Sequence, residues 1–334
     1  MRNVFVISAV SILIILSASI SYGEEGADNY KPQWAGWLRA GYDHDFTEGG
    51  VNGFNKYSAR IIAKGRYDSR ISYHLMTEMV NQSSIDSRPV FLQGWISYDL
   101  ADQISARIGQ YKYPFGRESY GPVMGWKFAN PSYATKKIAG KLGRSGGFFR
   151  DAGLQITAAR RIKEGLSVFT KLMLMNGNGI NSYDSNSEKD FVGQLGLKMD
   201  HGMEIGGSYF AGRDNHGDES AANLYFILKN YGIHAQAEYS RAVYDNGSYE
   251  DIVPAGFYIF ATYEFYPGVE AGCRYDRFES NINNEDTDRS RVSFMTAYNF
   301  AELTRIMLNC EIPDGTLNEG LDPFISLNFY IAFN

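Results

Sequence analysis

The chain has 334 residues, a formal net charge of −6 and 15% aromatic residues, with 24 Tyr and 21 Phe but two Cys. After residue 23 no apolar run approaches the roughly 20 residues a membrane helix needs, which excludes a helical membrane protein. There is no CxxC, no CxxCH haem site and no metal-spaced His/Cys cluster, so no cofactor is expected, and no nucleic-acid partner either.

The first residues read as a targeting signal. Arg2 is a short positive region, Val4 to Leu16 is mostly apolar, and Ser21-Tyr-Gly23 offers small residues to a signal peptidase. Cleavage after Gly23 leaves one domain, 24–334, exported through the Sec route, and loss of Arg2 takes the net charge from −6 to −7.

Alternating segments then recur with turn signals between them. Strands are expected at Trp34–Asp43, Phe54–Arg66, Ile71–Val80, Val90–Leu100, Ile104–Tyr113 and Asp151–Arg160. The series continues at Leu166–Met175, Phe191–Met199, Met203–Phe210, Asn223–Lys229 and Ile233–Val243. It ends with Phe257–Phe265, Val269–Phe278, Arg291–Asn299, Arg305–Ile312 and Phe324–Phe333, sixteen in all. In the last of these Ile325, Leu327, Phe329, Ile331 and Phe333 share one face, and Ser326, Asn328, Tyr330 and Ala332 the other.

Seven connections are short and eight are long and polar, and the two kinds alternate strictly. A sandwich has no reason to alternate in this way. A transmembrane barrel does, with tight periplasmic turns and longer outer loops. The expected fold is all-β: an antiparallel up-and-down transmembrane barrel of about 16 strands, in the outer membrane of a Gram-negative bacterium.

The period of two assigns faces. Tyr57, Ala59, Ile61 and Ala63 point to lipid and Arg60 and Lys64 to the lumen. A lipid-facing Lys or Arg at mid-depth costs about 2–4 kcal/mol, so mid-strand cations fix the register. Arg39, Arg107, Lys171, Lys198, Arg274 and Arg305 also face inward, as do Glu78, Glu238, Glu264 and Glu311. This wall is compatible both with paired charges and with anion selection. Cys273 and Cys310 fall on the lipid face of the thirteenth and fifteenth strands. Two strand spacings, roughly 9–10 Å, exceed the reach of a disulfide, so both thiols are expected free.

The longest connection, Pro114 to Arg150, carries Arg117, Lys127, Lys136, Lys137, Lys141, Arg144 and Arg150 against one acid, Glu118. Folded into the pore it would line a narrowing with cations and favour anions. On the surface it would bind lipopolysaccharide phosphates. Acidic residues such as Asp184, Glu188 and Asp190 read as solvated outer loops. The expected pore and anion-binding residues are Arg60, Lys64, Arg107, Lys127, Lys136, Lys137, Lys141 and Arg144.

Arg107-Ile-Gly-Gln-Tyr-Lys-Tyr-Pro-Phe-Gly-Arg-Glu118 resembles the strand and turn that enter the third loop in the phosphate-selective porin O and P family. Phe149-Arg-Asp-Ala-Gly-Leu-Gln-Ile156 resembles the strand that leaves it, and Asn176-Gly-Asn-Gly179 and Ala271-Gly-Cys-Arg-Tyr-Asp276 are similar to family patterns. The resemblance implies a sixteen-stranded porin, usually trimeric, with its third loop folded inward. It implies an anion-conducting role, by region, for Arg60, Arg107, Lys136, Lys137 and Lys141. The expected function is a passive diffusion channel preferring small, phosphate-like anions, with outer-membrane lipid, lipopolysaccharide and two further copies of the chain as partners. The alternative is a barrel without selective transport, such as a cytochrome sheath or an adhesin. No HExxH or GxSxG motif accompanies the five histidines, and no enzyme is expected.

Overall fold

A computed structural model describes residues 31–50, 52–81, 89–144, 146, 148–184, 187–213, 217–245, 247, 249–301, 304–315 and 322–333. The expected leader, 1–23, lies outside the described residues. The strands are β1 (Gln33–Asp45), β2 (Gly53–Arg66), β3 (Ile71–Asn81), β4 (Val90–Ala101), β5 (Ile104–Lys112) and β6 (Arg150–Lys163). They continue as β7 (Leu166–Met175), β8 (Asp190–Met199), β9 (Met203–Arg213), β10 (Asp218–Asn230) and β11 (Ile233–Tyr244). The last five are β12 (Ala255–Tyr266), β13 (Val269–Glu279), β14 (Asp288–Ala301), β15 (Thr304–Asp314) and β16 (Phe324–Phe333). Each pairs antiparallel with its neighbours in the chain, and β1 pairs with β16 to close the barrel.

The alternation of side chains decides which way the sheet curls. On β12 Phe257, Ile259 and Tyr263 are exposed while Tyr258, Phe260 and Thr262 are buried. On β16 Leu327, Phe329 and Ile331 face out, and Ser326, Asn328 and Tyr330 are covered. Around the barrel Ile108, Leu195 and Leu224 are 60–66% exposed. A continuous apolar belt of this kind is stable only against lipid.

Turn chemistry sets the tight ends. Asn230 pairs with Ile233, leaving a two-residue loop in which Tyr231 (φ 48°) and Gly232 (φ 77°) are both left-handed. This pair of angles matches the right-handed twist of the flanking strands. At the other end the strands run further than the alternation indicates: β10 begins at Asp218 rather than Asn223, and β14 at Asp288 rather than Arg291. Asp190, read as a loop residue, opens β8 and is buried. Beyond the lipid belt a polar outward residue carries no penalty, so hydrogen-bonded pairing continues where the apolar signal has stopped.

Cys273 is paired with Phe294, and Phe294 with Cys310. Both cysteines are free, in one row of the outer face with the Phe294 strand between them.

Candidate functional site

Between β5 and β6, residues 113–144 are held by inward-facing side chains of the opposite wall. Gly116 N–H donates to Ser208 Oγ at 3.2 Å, and the N–H groups of Arg117 and Glu118 donate to the Glu238 carboxylate at 3.1–3.2 Å. Further on, Lys127 pairs with Glu270 at 2.6 Å and Arg305 donates to the Trp126 carbonyl. Glu270 and Arg305 are the second residues of β13 and β15, so the segment reaches the short-turn end of the wall here. It then climbs back. Ala129 N–H donates to Asn309 Oδ1 at 3.2 Å, Arg274 donates to the Asn130 carbonyl at 2.9 Å, and Tyr133 N–H donates to Asp276 at 3.0 Å. A π-helical turn over Thr135–Ala139 seats Ile138 in an apolar cluster with Phe210, Ala242 and Phe278, near the long-connection ends of β9, β11 and β13.

Charges on this side compensate one another. Asp276 pairs with Arg274 at 3.1 Å and with Arg291 at 2.8 Å, and Arg291 also pairs with Glu311 at 2.6 Å. Glu204 stands 3.6 Å from Arg117. Buried charges of this kind are tolerable only when each is paired and hydrogen-bonded.

The facing side is different. Between residues 120–124 of the segment and the wall from β1 to β6 lies a cleft of about 340 Å³. Arg60, Arg107, Lys112 and Arg150 line it, and no carboxylate is among its lining residues. Arg60 pairs with Glu78, which lies behind it, and its guanidinium sits 4.7 Å from the Trp37 ring centre. Arg107 lies 3.9 Å over the Trp95 ring, which is stacked on His74 in turn. Such a cation–π contact is worth about 1–2 kcal/mol when desolvated and leaves the guanidinium edge available. Lys112 Nζ donates to the carbonyls of Ser119 and Gly121 at 2.5 Å. On β7, Lys171 lies 3.9 Å over the Tyr120 ring and donates to Gln194. Arg107, Lys112, Arg150 and Lys171 form no ion pair with a described residue.

The residues expected from sequence are thus divided among five places. Arg60 and Arg107 line the cleft, and Lys64 is exposed on β2, paired in register with His74. Lys127 is neutralised by Glu270 on the opposite wall. Lys136, Lys137 and Lys141 cluster in and after the π-helical turn, where Lys136 and Lys141 reach solvent. Burial pushes the Lys137 ammonium below the usual lysine value, and Arg289, Lys136 and Lys141 push it the same way. Arg144 donates to Asn178 Oδ1 at 3.2 Å and to the Arg213 carbonyl.

No protein-family model and no curated protein matches the sequence. Solved structures do match. The anion-selective porin from Comamonas acidovorans superposes with a TM-score of 0.66 at 10% identity, over 91% of this chain and 100% of that one. A loop-deletion mutant of OmpT, an outer membrane protein of Vibrio cholerae, gives 0.64 at 14% identity, over 91% and 100%. The outer membrane channel DcaP of Acinetobacter baumannii gives 0.64 at 9% identity, over 93% and 99%. The chain has the porin fold. Identities this low carry the fold and nothing finer.

Within this porin fold, Lys112, Arg150, Trp37 and Trp95 were not singled out from sequence as site residues. Simple alternation puts Lys112 on the face opposite Arg107. That alternation fails after Gly109, whose φ of 133° favours glycine and where a Cβ would overlap the carbonyl oxygen of Gly94. Beyond it Gln110, Tyr111, Lys112 and Tyr113 are all buried. The glycine itself was the available signal.

Proposed function

We propose that this chain is a passive diffusion channel of the Gram-negative outer membrane that prefers small anions, with the 113–149 segment narrowing the pore. The observation that carries this is the asymmetry of the inner wall. Opposite the cleft Glu270, Asp276 and Glu311 are each paired with Lys or Arg, whereas Arg107, Lys112 and Arg150 line the cleft without an ion pair to a described residue and with no carboxylate among its lining residues. Cations close to a low-dielectric wall attract a partly dehydrated anion far more strongly than in bulk water. Two structures that share the fold are described as an anion-selective porin and an outer membrane channel, and OmpT is described in a trimer form. On this reading the leader 1–23 directs Sec export, the working unit is a homotrimer set in lipid and lipopolysaccharide, and the chain is akin to the phosphate-selective porin O and P family.

Purified protein in a planar bilayer tests the reading. Stepwise conductance is expected, with a reversal potential on the anion side in a dilute KCl gradient. The preference should fade as salt rises, since the Debye length falls to about 3 Å at 1 M. A barrel that inserts without conducting steps, as a sheath or adhesin would, overturns it.

Lys137 adds a pH dependence. Its folded-state pKa is depressed, so its charge is lost at lower pH than that of a solvated lysine. Anion preference should therefore be full at about pH 7 and begin to fall on the way to about pH 10, the ordinary lysine range. Lys137→Gln should remove the early part of that decline; an unchanged pH profile would mean that Lys137 does not act on the permeating ion.

A further inference from the structure

We infer that the cleft between residues 120–124 and the β1–β6 wall is a binding subsite for amphipathic organic anions, the fitting class being an aromatic carboxylate. This rests on the anion-preferring channel proposed above. The cleft's volume of about 340 Å³ lies within the range of roughly 300–1,000 Å³ typical of small-ligand sites.

Its lining combines two chemistries. Arg107, Lys112 and Arg150 supply positive charge. Arg107 Nε is shielded from solvent without a hydrogen-bond partner among the described residues. Lys112 uses two of its three N–H donors on backbone carbonyls. A carboxylate matches a guanidinium edge in both spacing and charge. Beside Gln93 and two tyrosines the lining also has apolar groups: Trp37, Ile62, Met76, Val123 and Met124 share the same cleft. Trp37 and Met124 are buried, while Ile62, Met76 and Val123 are half-buried, and an inorganic anion would leave the exposed part of these facing water. An aromatic ring would cover them, and methionine sulfur makes favourable contacts with aromatic rings.

The experiment is a bilayer titration of KCl conductance with benzoate, acetate and inorganic phosphate at matched ionic strength. Benzoate is expected to half-block at about one-tenth the concentration of either of the others, the ratio that about 1.4 kcal/mol of ring burial would give. Met124→Ser should bring benzoate close to acetate. Arg107→Gln should weaken benzoate and acetate alike. Heat-dependent gel mobility checks that each variant folds, and Val123→Ser replaces Met124→Ser if that one does not. Equal block by benzoate and acetate in the wild type, or a benzoate advantage that survives both loop substitutions, overturns the subsite. Equal block with chloride preference intact overturns the subsite alone; loss of chloride preference together with loss of block overturns the channel reading as well.

Discussion

Arg107→Glu should lower the anion-to-cation permeability ratio by about tenfold at about 0.1 M salt, more than the combined change of Lys136, Lys137 and Lys141 to Glu. Arg107 sits in the cleft over Trp95, with no ion-pair partner among the described residues. At about 6 Å and an effective dielectric constant of about 40, one unit charge acts on a permeating ion with about 1.4 kcal/mol, a factor of about ten. Charge reversal changes two units, and screening over a Debye length of about 10 Å removes part of that. The three lysines act from the π-helical turn near the long-connection ends of the strands, and Lys136 and Lys141 are solvated. Water and salt weaken them first. Reversal potentials of the two variants in one KCl gradient decide the matter. A triple lysine variant that shifts further than Arg107→Glu would move the selectivity-setting site from the cleft to the turn.

Asp276→Ala is expected to cost about 3–5 kcal/mol and to widen the channel, because it leaves a buried guanidinium uncompensated. Asp276 is fully buried and is held from three directions: it forms an ion pair with Arg274 at 3.1 Å and accepts from Arg291 Nε at 2.8 Å and from the Tyr133 N–H at 3.0 Å. Arg291 keeps Glu311, but Arg274, whose side chain is fully buried, keeps only Glu118 at 3.6 Å as a carboxylate partner. Losing the Tyr133 bond also loosens residues 130–133, which keep the Arg274 and Arg291 bonds to the Asn130 and Pro131 carbonyls. Asp276→Asn retains an acceptor without the charge and should fall between the two. The readouts are the denaturant midpoint of the folded barrel and single-channel conductance. Wild-type values of both in Asp276→Ala would show that Asp276 does not anchor the segment.

The sequence by itself determined the sixteen strands, their faces and the fate of the cysteines. The physical reason is that lipid imposes a strict period of two: every outward mid-strand position must be apolar, as at Phe257, Ile259 and Leu327. Strand order needed nothing more, because each strand pairs with its neighbour in the chain. The tertiary structure alone decided which cations stay uncompensated. Lys127 is silenced by Glu270, 143 residues away, and Asp276 neutralises Arg291 across a strand pair. Lys112 and Arg150, which form no ion pair with a described residue, come together with Arg60, paired to Glu78, only when β2, β5 and β6 take their places in the closed wall. Charge pairing falls off over a few ångströms and ignores distance along the chain. The contacts that residues 113–144 make with inward-facing side chains, not the local count of Lys and Arg, therefore set where positive charge remains.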